Sequence, residues 1–338
     1  MKLYQGIPRG RLEELLDKIR AVRAAVLGDI CLDVYWLADM KKSELSRETP
    51  HFPLPVTEER MSPGGGGNVA ANLSALNPEK VYAVGMIGKD WRGTEIKRLL
   101  GEMAVDISHI RSVPDRVTNA YCKPLRVGIS ETVYEDPRLD FYNDKPMDAE
   151  TEDFVIASLD RLASQVDVLC VSDQLPFGVV TERIRGHVMK LAGDGLTVVV
   201  DSRDQIGRYY GVIIKPNEVE GLRAAGAEDF AKAALRLSEG REVVMTIGAQ
   251  GSLYAADGKV THIPARKIHG SIDIVGAGDA FLSGFSLAVA AGASRLEAAF
   301  FAGICSEITI QKIGTTGTAS QAEILDWYHS LELDHHVE

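Results

Sequence analysis

Residues 273–284 read DIVGAGDAFLSG, and the rest of the chain is organised around this stretch. Three small residues, Gly276, Ala277 and Gly278, precede Asp279, and the apolar run that follows predicts a helix. Backbone N–H groups at such a helix N-terminus are free to bind an anion. Asp279 would then lie beside the anion, where a carboxylate can take the proton from a hydroxyl that attacks a phosphoryl group. The plainer alternative is an aspartate that caps a helix after a glycine turn.

The composition is that of a globular protein without a nucleic-acid or membrane partner. The chain has 338 residues, of which 45% are hydrophobic and 25% charged, and its net charge is −11. This acidic balance disfavours binding to nucleic acid or to an anionic membrane. The four cysteines are far apart and form no CxxC pair. We therefore expect neither a zinc site nor a disulfide, and we predict a reduced, cytoplasmic protein with no signal peptide and no membrane span.

Apolar runs alternate with helical patterns from residue 80 onward, after a first apolar run at residues 24–27. Later runs at residues 166–171, 196–200 and 243–247 are short and uniformly apolar, and a helical pattern separates each from the next. This order predicts an α/β fold with a mostly parallel, doubly wound sheet between two helical layers. We predict one domain over residues 1–338.

Two segments break this alternation. Residues 34–60 and 117–143 carry extended, strand-like stretches, and prolines within them suit edge strands. We interpret them as a small β layer that projects from the main body, either as a lid over the site or as a contact between two copies. A decorated edge of the main sheet is the alternative.

A second glycine-rich segment lies between these two. Residues 64–67 are four consecutive glycines, followed by a stretch from Asn68 to Leu76 that predicts a helix. No Lys-Ser/Thr pair follows, so this is not a Walker A loop, and the spacing is not GxGxxG. We expect a loop whose backbone binds a polyhydroxyl ligand, with the Asn68 amide adding to it. A flexible turn is the alternative, although four glycines carry a large entropic cost.

Polar residues follow several predicted strands, where ligands bind in open α/β sheets. Asp29 and Asp33 follow the first strand; turn formation and capping are their alternative roles. Asn217 and Glu220 lie three residues apart on one helical face, a pattern that suits a hydrated Mg²⁺ beside phosphates or a simple helix cap. Residues 246–251 form a strand-end turn that either approaches a phosphate tail or leads into a hairpin.

These motifs, in this order, resemble the ribokinase-like sugar kinases, also called the phosphofructokinase-B type. The resemblance covers residues from about 24 to 325. The motifs are Gly28-Asp29 with Asp33, Gly64–Asn68, Asn217-x-x-Glu220, Thr246-x-Gly248-x-x-Gly251 and Gly276-Ala277-Gly278-Asp279. Within the family, the segment from Gly28 to Trp36, Pro63-Gly-Gly and Lys312-x-Gly-Thr315 are most similar to bacterial heptose-7-phosphate kinases.

The resemblance implies a role for each matching residue. Asp279 is the implied catalytic base, and the implied anion-hole residues are Gly276, Ala277 and Gly278. The implied nucleotide-binding residues are Asn217, Glu220, Thr246, Gly248 and Gly251, with Glu220 acting on Mg²⁺ through water. The implied sugar-binding residues are Asp33, Gly65, Gly66 and Asn68. The implied ligands of a monovalent cation such as K⁺ are carbonyl oxygens near Asp273, Val275 and Gly314.

The implied activity is transfer of the γ-phosphate of ATP, with Mg²⁺, to a sugar or sugar phosphate, by a homodimer paired through the lid. The family usually has Thr where this chain has Ile274, and that departure weakens the cation site. The candidate residues for a phosphate on the acceptor are Arg47, Lys123, Arg126 and Arg138. Two alternatives stay open: a nucleoside or vitamin-precursor kinase, for which Tyr35, Trp36, Phe52 and Tyr121 are the candidate aromatic residues, and a non-catalytic sugar or nucleotide sensor.

Overall fold

A computed structural model describes residues 2–334, with side chains described as far as residue 330. Within this range the strands are β1 (Lys2–Leu3), β2 (Arg23–Gly28), β3 (Ile30–Asp39), β4 (Val56–Gly65), β5 (Lys80–Gly88), β6 (Asp106–Val113), β7 (Asn119–Val127), β8 (Tyr134–Glu135), β9 (Leu139–Phe141), β10 (Val168–Asp173), β11 (Thr197–Ser202), β12 (Ile213–Ile214), β13 (Glu242–Thr246), β14 (Ser252–Ala256) and β15 (Lys259–Ile263). The helices are α1 (Arg9–Ile19), α2 (Gly66–Ala75), α3 (Trp91–Glu102), α4 (Ala149–Leu162), α5 (Glu182–Gly193), α6 (Glu218–Ala225), α7 (Phe230–Leu237), α8 (Ala277–Ala290), α9 (Arg295–Thr309) and α10 (Gln321–Asp334).

The strands form a large sheet in the order β1-β15-β14-β13-β12-β11-β10-β2-β5-β6. Its pairs are parallel except β13–β14 and β14–β15, which form antiparallel hairpins. The predicted α/β fold with a mostly parallel sheet is confirmed. Residues 246–251 are the connection between β13 and β14, so the predicted hairpin is present.

Helices cover both faces of this sheet, because side chains in each strand alternate between two cores. On β2, Ala24 and Val26 pack into one core, and Ala25 and Leu27 pack into the other. Helices α1, α2, α8 and α9 contribute to the first core, and α4, α5 and α7 to the second. Uniformly apolar strands are the sequence pattern that this double burial requires.

A second, smaller sheet has the order β4-β3-β7-β8, with β9 also pairing with β7. Its strands come from the two predicted extended segments, although β3 starts earlier, at Ile30, and β4 continues to Gly65. In the register of β3 with β7, Asp33 pairs with Tyr121 and Tyr35 with Lys123. Since alternate residues share a face, these four side chains lie on one face of the small sheet.

The four glycines do not form the predicted loop. Strand β4 runs through Gly65, and α2 begins at once with Gly66, two residues before the predicted start. Gly65 has φ +55°, and a Cβ there would lie 2.4 Å from the carbonyl oxygen of Asp29. The glycines therefore allow a sharp strand-to-helix transition against β2, rather than a flexible loop.

Other differences concern where a strand begins and one strand that the sequence did not indicate. The predicted strand around residues 52–56 begins only at Val56, and β6 at residues 106–113 was not predicted. Strand β6, at the edge of the sheet, has five polar residues among its eight, so it lacks the uniform apolar pattern of the inner strands. No helix within residues 2–334 is long and apolar enough to cross a membrane.

We expect Gly66→Ala to destabilise the fold by about 1–3 kcal/mol, because the core has no room for the added methyl group. A Cβ on Gly66 would lie 2.8 Å from the Cα atom of Gly28. Gly101→Ala is the matched control, since no atom lies within 4 Å of the added carbon and alanine favours the helix. Denaturant unfolding of both variants measures the difference; equal free energies of unfolding would contradict this packing.

Candidate active site

Asp279 lies in the first turn of α8 and contacts the start of α2. Its Oδ2 accepts a hydrogen bond of 2.6 Å from Nδ2 of Asn68, which is buried. The Asn68 amide is held in turn by Asn72, whose Nδ2 donates to Asn68 Oδ1 at 3.2 Å. Asn72 therefore fixes the Asn68 amide so that its NH₂ group points at the predicted base. Two residues implied for separate roles, sugar binding and catalysis, are in direct contact.

The predicted anion hole lies at the N-terminus of α8, with Gly276 at φ +83° as its N-cap. The Ala277 N–H already donates to the Ile274 carbonyl at 3.2 Å. Among the described residues, the Gly278 N–H has no such acceptor. A Cβ on Gly276 would lie 3.0 Å from Nδ2 of Asn68, so a side chain here would crowd the base. The open backbone at Gly276 and Gly278 therefore suits an anion beside Asp279.

A buried ion pair lies beside this predicted anion hole. The sequence prediction assigned no role to either of its residues. Lys215 is 2% exposed, and its Nζ lies 2.8 Å from Oδ2 of Asp201 at the end of β11. A Cβ on Gly278 would lie 3.6 Å from Lys215 Nζ. The sequence signal was available: a lysine and an aspartate each end an apolar strand pattern, where buried charges are rare unless paired.

The charged groups of this cluster shift one another's pKa values. Burial raises the pKa of Asp279 to about 7, with Asp201 adding to this effect and Asn68 and Lys215 opposing it. Burial acts to lower the pKa of Lys215, but Asp201 and Glu220 outweigh it and hold that pKa above its ordinary value. Lys215 therefore stays charged at neutral pH. Asp279 has a pKa suited to a general base, which works best near the operating pH.

We expect kcat/KM to rise as the pH passes through about 7, because Asp279 must lose its proton before it can accept one. Below that pH the rate should fall about tenfold for each pH unit, and above it the rate should level off. The charged groups that act on Asp279 are Asp201, Lys215 and Asp33. Initial rates across this range, with acceptor below KM, measure the profile. A flat acid limb would contradict the assignment of the base.

Asn217 and Glu220 form a capping box at the start of α6. The Asn217 N–H donates to Glu220 Oε2, and the Glu220 N–H donates to Asn217 Oδ1, both at 2.9 Å. The cap and the proposed ligand role are compatible, because Glu220 Oε1 accepts no hydrogen bond among the described residues. Burial, together with Asp201, raises the pKa of Glu220, and Lys215 opposes the shift. Glu220 therefore belongs to the same cluster as Asp201 and Lys215.

The predicted phosphate loop lies beside this cap. Asn217 and Thr246 form an isolated parallel bridge, and the Thr246 N–H donates to the Pro216 carbonyl at 3.0 Å. Gly248, at φ +56°, and Gly251, at φ +96°, close the tight turn that follows. No group of three or more His, Cys, Asp or Glu side chains within the described residues forms a metal cage. The predicted Mg²⁺ would keep its waters here and take most of its other ligands from phosphates.

The predicted acceptor side contains Asp33 and the glycines around it. Asp33 is 6% exposed, and a Cβ on Gly64 would lie 2.9 Å from Asp33 Oδ1. Burial raises the pKa of Asp33 to about 6, and Lys123 and Arg138 oppose this rise. Asp33 accepts no hydrogen bond among the described residues, which leaves both oxygens for a hydroxyl ligand. Gly65 and Gly66 stand between it and Asn68, on the backbone of the strand-to-helix transition.

Asp29 has the structural role that was left open for it. Its carboxylate accepts hydrogen bonds from the N–H groups of Gln174, Leu175 and Val179, at 2.6–2.9 Å. These bonds hold residues 174–179 against the end of β2. A carboxylate with three N–H donors is fully engaged, so Asp29 fixes the turn and Asp33 is the ligand candidate.

At the predicted monovalent-cation site, several of the groups already have other partners. Both carboxylate oxygens of Asp273 accept backbone N–H groups, Oδ1 from Val275 at 3.1 Å and Oδ2 from Gly314 at 3.0 Å. The Gly314 carbonyl accepts a hydrogen bond of 3.5 Å from Nη1 of Arg60. A guanidinium on this carbonyl repels a second cation at the same place. We therefore derive no step through K⁺.

Comparison with known proteins places this chain in a family. Residues 25–322 match the model of the pfkB family carbohydrate kinases. The bifunctional protein HldE of Geobacter metallireducens is 32% identical over 331 residues, which are 94% of this chain but 65% of that protein; HldE of Geotalea uraniireducens gives the same four values. This chain thus spans about two thirds of the length of these relatives.

Solved structures show the same fold. Phosphofructokinase-2 from Escherichia coli, in complex with substrates and products, superposes with a TM-score of 0.71 at 21% identity, over 92% of this chain and 100% of that chain. Ribokinase from Arabidopsis thaliana, complexed with ribose and ATP, gives a TM-score of 0.68 at 20% identity, over 91% and 98% of the two chains. The fold is ribokinase-like, and the predicted family is confirmed: this chain belongs to the pfkB family of carbohydrate kinases.

Proposed function

We propose that this sugar kinase moves the γ-phosphate of Mg-ATP to a hydroxyl of a sugar phosphate, with Asp279 as the base. The observation that carries the proposal is the cluster at the start of α8. A carboxylate with a pKa of about 7 lies beside open backbone N–H groups and a buried ammonium. Phosphoryl transfer needs alignment, charge stabilisation and a place for one proton, and this cluster supplies all three.

The residues divide the work as follows. Asp33 and the backbone at Gly65 and Gly66 bind acceptor hydroxyls, and Asn68 orients Asp279 through the 2.6 Å hydrogen bond. Asp279 Oδ1 then takes the proton of the attacking hydroxyl. The Gly278 N–H and Lys215 stabilise the charge on the transferring phosphoryl group. When bound, Mg²⁺ would neutralise phosphate charge near Glu220, while Thr246, Gly248 and Gly251 hold the nucleotide's phosphate side.

Cations on the small sheet support the proposal that the acceptor already carries a phosphate. Lys123 lies on the same face as Asp33, and its Nζ is 3.0 Å from the Tyr35 hydroxyl. The Arg138 guanidinium stacks 4.5 Å from the Tyr121 ring centroid. Both residues lower the pKa of Asp33, so both act on the acceptor pocket. With the motif resemblance, this favours a heptose 7-phosphate as the acceptor.

The other predicted phosphate ligands and the nucleoside alternative have less support. Arg126 lies three residues after Lys123 on β7, so its side chain is on the opposite face of the small sheet. There its Nη2 lies 2.8 Å from Oδ1 of Asp136.

The aromatic residues named for a nucleoside are partly covered by cations. Lys123 lies over the Tyr35 ring at 4.7 Å, and Arg138 covers Tyr121. Rings with a cation over one face are poorly placed to sandwich a nucleobase. No separate observation favours a sensor, and the cluster around Asp279 suits catalysis.

ADP release by the purified protein with Mg-ATP tests this function. The panel contains heptose 7-phosphate, fructose 6-phosphate, ribose, free heptose and a nucleoside, each offered at the same concentration. We expect turnover on a phosphorylated sugar, and turnover on ribose or the nucleoside alone would contradict the acceptor class. Lys123→Ala should raise KM for the acceptor about 10- to 100-fold and leave KM for ATP unchanged. Arg126→Ala, on the opposite face, is the matched control.

Pairing of two copies through the small sheet remains part of this proposal. Exposed apolar side chains on its strands include Val56, Tyr134 and Leu139, which are 43–50% exposed. Burial of such side chains is the usual driving force for association. Sedimentation velocity of the wild type and of Leu139→Asp measures it. A monomeric wild type would contradict the pairing and leave the catalytic assignment unaffected.

A further inference from the structure

Residues 312–317 lie between the small sheet and the predicted anion hole. On one side, Thr316 is close to α8, since a Cβ on Gly276 would lie 3.6 Å from Thr316 Cβ. On the other side, strand β4 contacts these residues twice. Ser62 Oγ lies 3.1 Å from Thr316 Oγ1, and Arg60 donates to the Gly314 carbonyl at 3.5 Å. The segment therefore links β4 to the start of α8.

Arg60 reaches this segment from the face of the small sheet that carries the acceptor residues. In the register of β3 with β4, Arg60 pairs with Tyr35 and Ser62 pairs with Asp33. Arg60 therefore shares a face with Asp33, and its guanidinium lies 6.0 Å from the Tyr35 ring centroid. Its Nε is 3.3 Å from Glu58 Oε1, an ion pair in which both side chains are about half exposed. Arg60 therefore contacts Glu58 through Nε and the Gly314 carbonyl through Nη1.

Asp273 completes the link from Gly314 to the anion hole. Its carboxylate joins the Gly314 N–H to the Val275 N–H, and its own N–H donates to the Ile310 carbonyl at 2.8 Å. Val275 directly precedes Gly276. Contacts therefore run from Arg60 through Gly314 and Asp273 to the turn that precedes α8.

We propose that Arg60 replaces a monovalent cation in this enzyme: its guanidinium holds residues 312–317 against the turn at Asp273, so that catalysis does not depend on K⁺. A guanidinium is a weakly hydrated, always charged group that binds carbonyl oxygens directionally, so it can order this turn without a bound ion. Arg60 acts through the turn and is a positioning residue. The inference rests on the proposed kinase activity only for its rate measurement.

The test compares the full-length wild type with Arg60→Met, Arg60→Lys and Arg20→Met. Arg20→Met is the matched control, because it removes another exposed guanidinium, one that contacts Gln321. Thermal midpoints and ADP release are measured in KCl and in tetramethylammonium chloride at one ionic strength, with no other monovalent metal ion. The thermal midpoints need no substrate, so they test the role of Arg60 even when no acceptor in the panel is turned over. Silence across the panel would instead count against the proposed function.

We expect the wild type and Arg20→Met to show the same midpoint in both salts, and rates that differ less than about twofold. Arg60→Met should lose about tenfold in kcat without K⁺ and regain part of it with K⁺, because the misplaced turn is then held by the ion. Its midpoint should rise about 1–2 °C in KCl. Arg60→Lys keeps the charge but loses the guanidinium fork, so its kcat without K⁺ should fall between those of the wild type and Arg60→Met. A wild type that K⁺ stabilises or activates many-fold overturns the proposal, as does an Arg60→Met variant indistinguishable from the wild type.

Discussion

Asp279→Asn is expected to lower kcat about 10³- to 10⁴-fold and to leave KM for ATP within about threefold. The substitution keeps the size of the side chain but removes the atom that takes the proton. It also places an amide opposite the Nδ2 donor of Asn68, 2.6 Å from the present carboxylate oxygen. Two NH₂ groups repel unless one amide rotates, so the remaining group is both uncharged and less well oriented.

Initial-rate kinetics with Mg-ATP and the active acceptor measure this effect. Asp257→Asn is the control, because Asp257 lies at φ 50° in the exposed β14–β15 turn, where asparagine is equally tolerated. The acid limb of the pH profile should also be absent from the residual activity of Asp279→Asn. A variant that keeps more than about a tenth of the wild-type kcat would show that another group accepts the proton.

Lys215→Met is expected to lower kcat about 10²- to 10³-fold, because it removes the buried ammonium beside the anion hole. The same change leaves Asp201 buried without its partner, 2.8 Å away in the wild type. Loss of one member of a buried ion pair typically costs about 3–5 kcal/mol of folding stability. A fall in activity alone would therefore not separate catalysis from stability.

The double variant Asp201→Asn with Lys215→Met separates the two effects. It removes both charges, so it should recover most of the free energy of unfolding lost in the single variant. It should not recover kcat, because the ammonium is still absent. Denaturant unfolding and initial rates on the same three proteins give the answer. Recovery of both quantities together would mean that Lys215 only stabilises the fold.

The family and the fold could be predicted from the sequence because they depend on local patterns. Uniformly apolar runs between helical stretches require a parallel sheet that is covered on both faces. The GAGD segment before an apolar helix requires an open helix N-terminus. These patterns are short-range and appear in full in consecutive residues, so the position of Asp279 at the start of α8 needed no tertiary information.

Contacts between distant segments could not be predicted in this way. The ion pair of Lys215 with Asp201 forms because β11 and β12 lie side by side, with the Lys215 N–H donating to the Val200 carbonyl at 2.7 Å. Strand pairing also decides which cations face the acceptor, since a shift of one residue moves a side chain to the other face. That is why Lys123 shares a face with Asp33 while Arg126 lies on the opposite face.

The sequence by itself determined that this chain is an α/β kinase of the pfkB family with an acid at a helix N-terminus. Only the tertiary structure decided that four glycines form a strand-to-helix junction rather than a loop, because β2 packs so closely that a Cβ on Gly66 would lie 2.8 Å from the Gly28 Cα atom. It also decided that Arg60 donates to the Gly314 carbonyl, one of the groups predicted to bind a cation. Local sequence sets the conformation that each segment adopts, whereas the charge around a group depends on which segments the fold packs together.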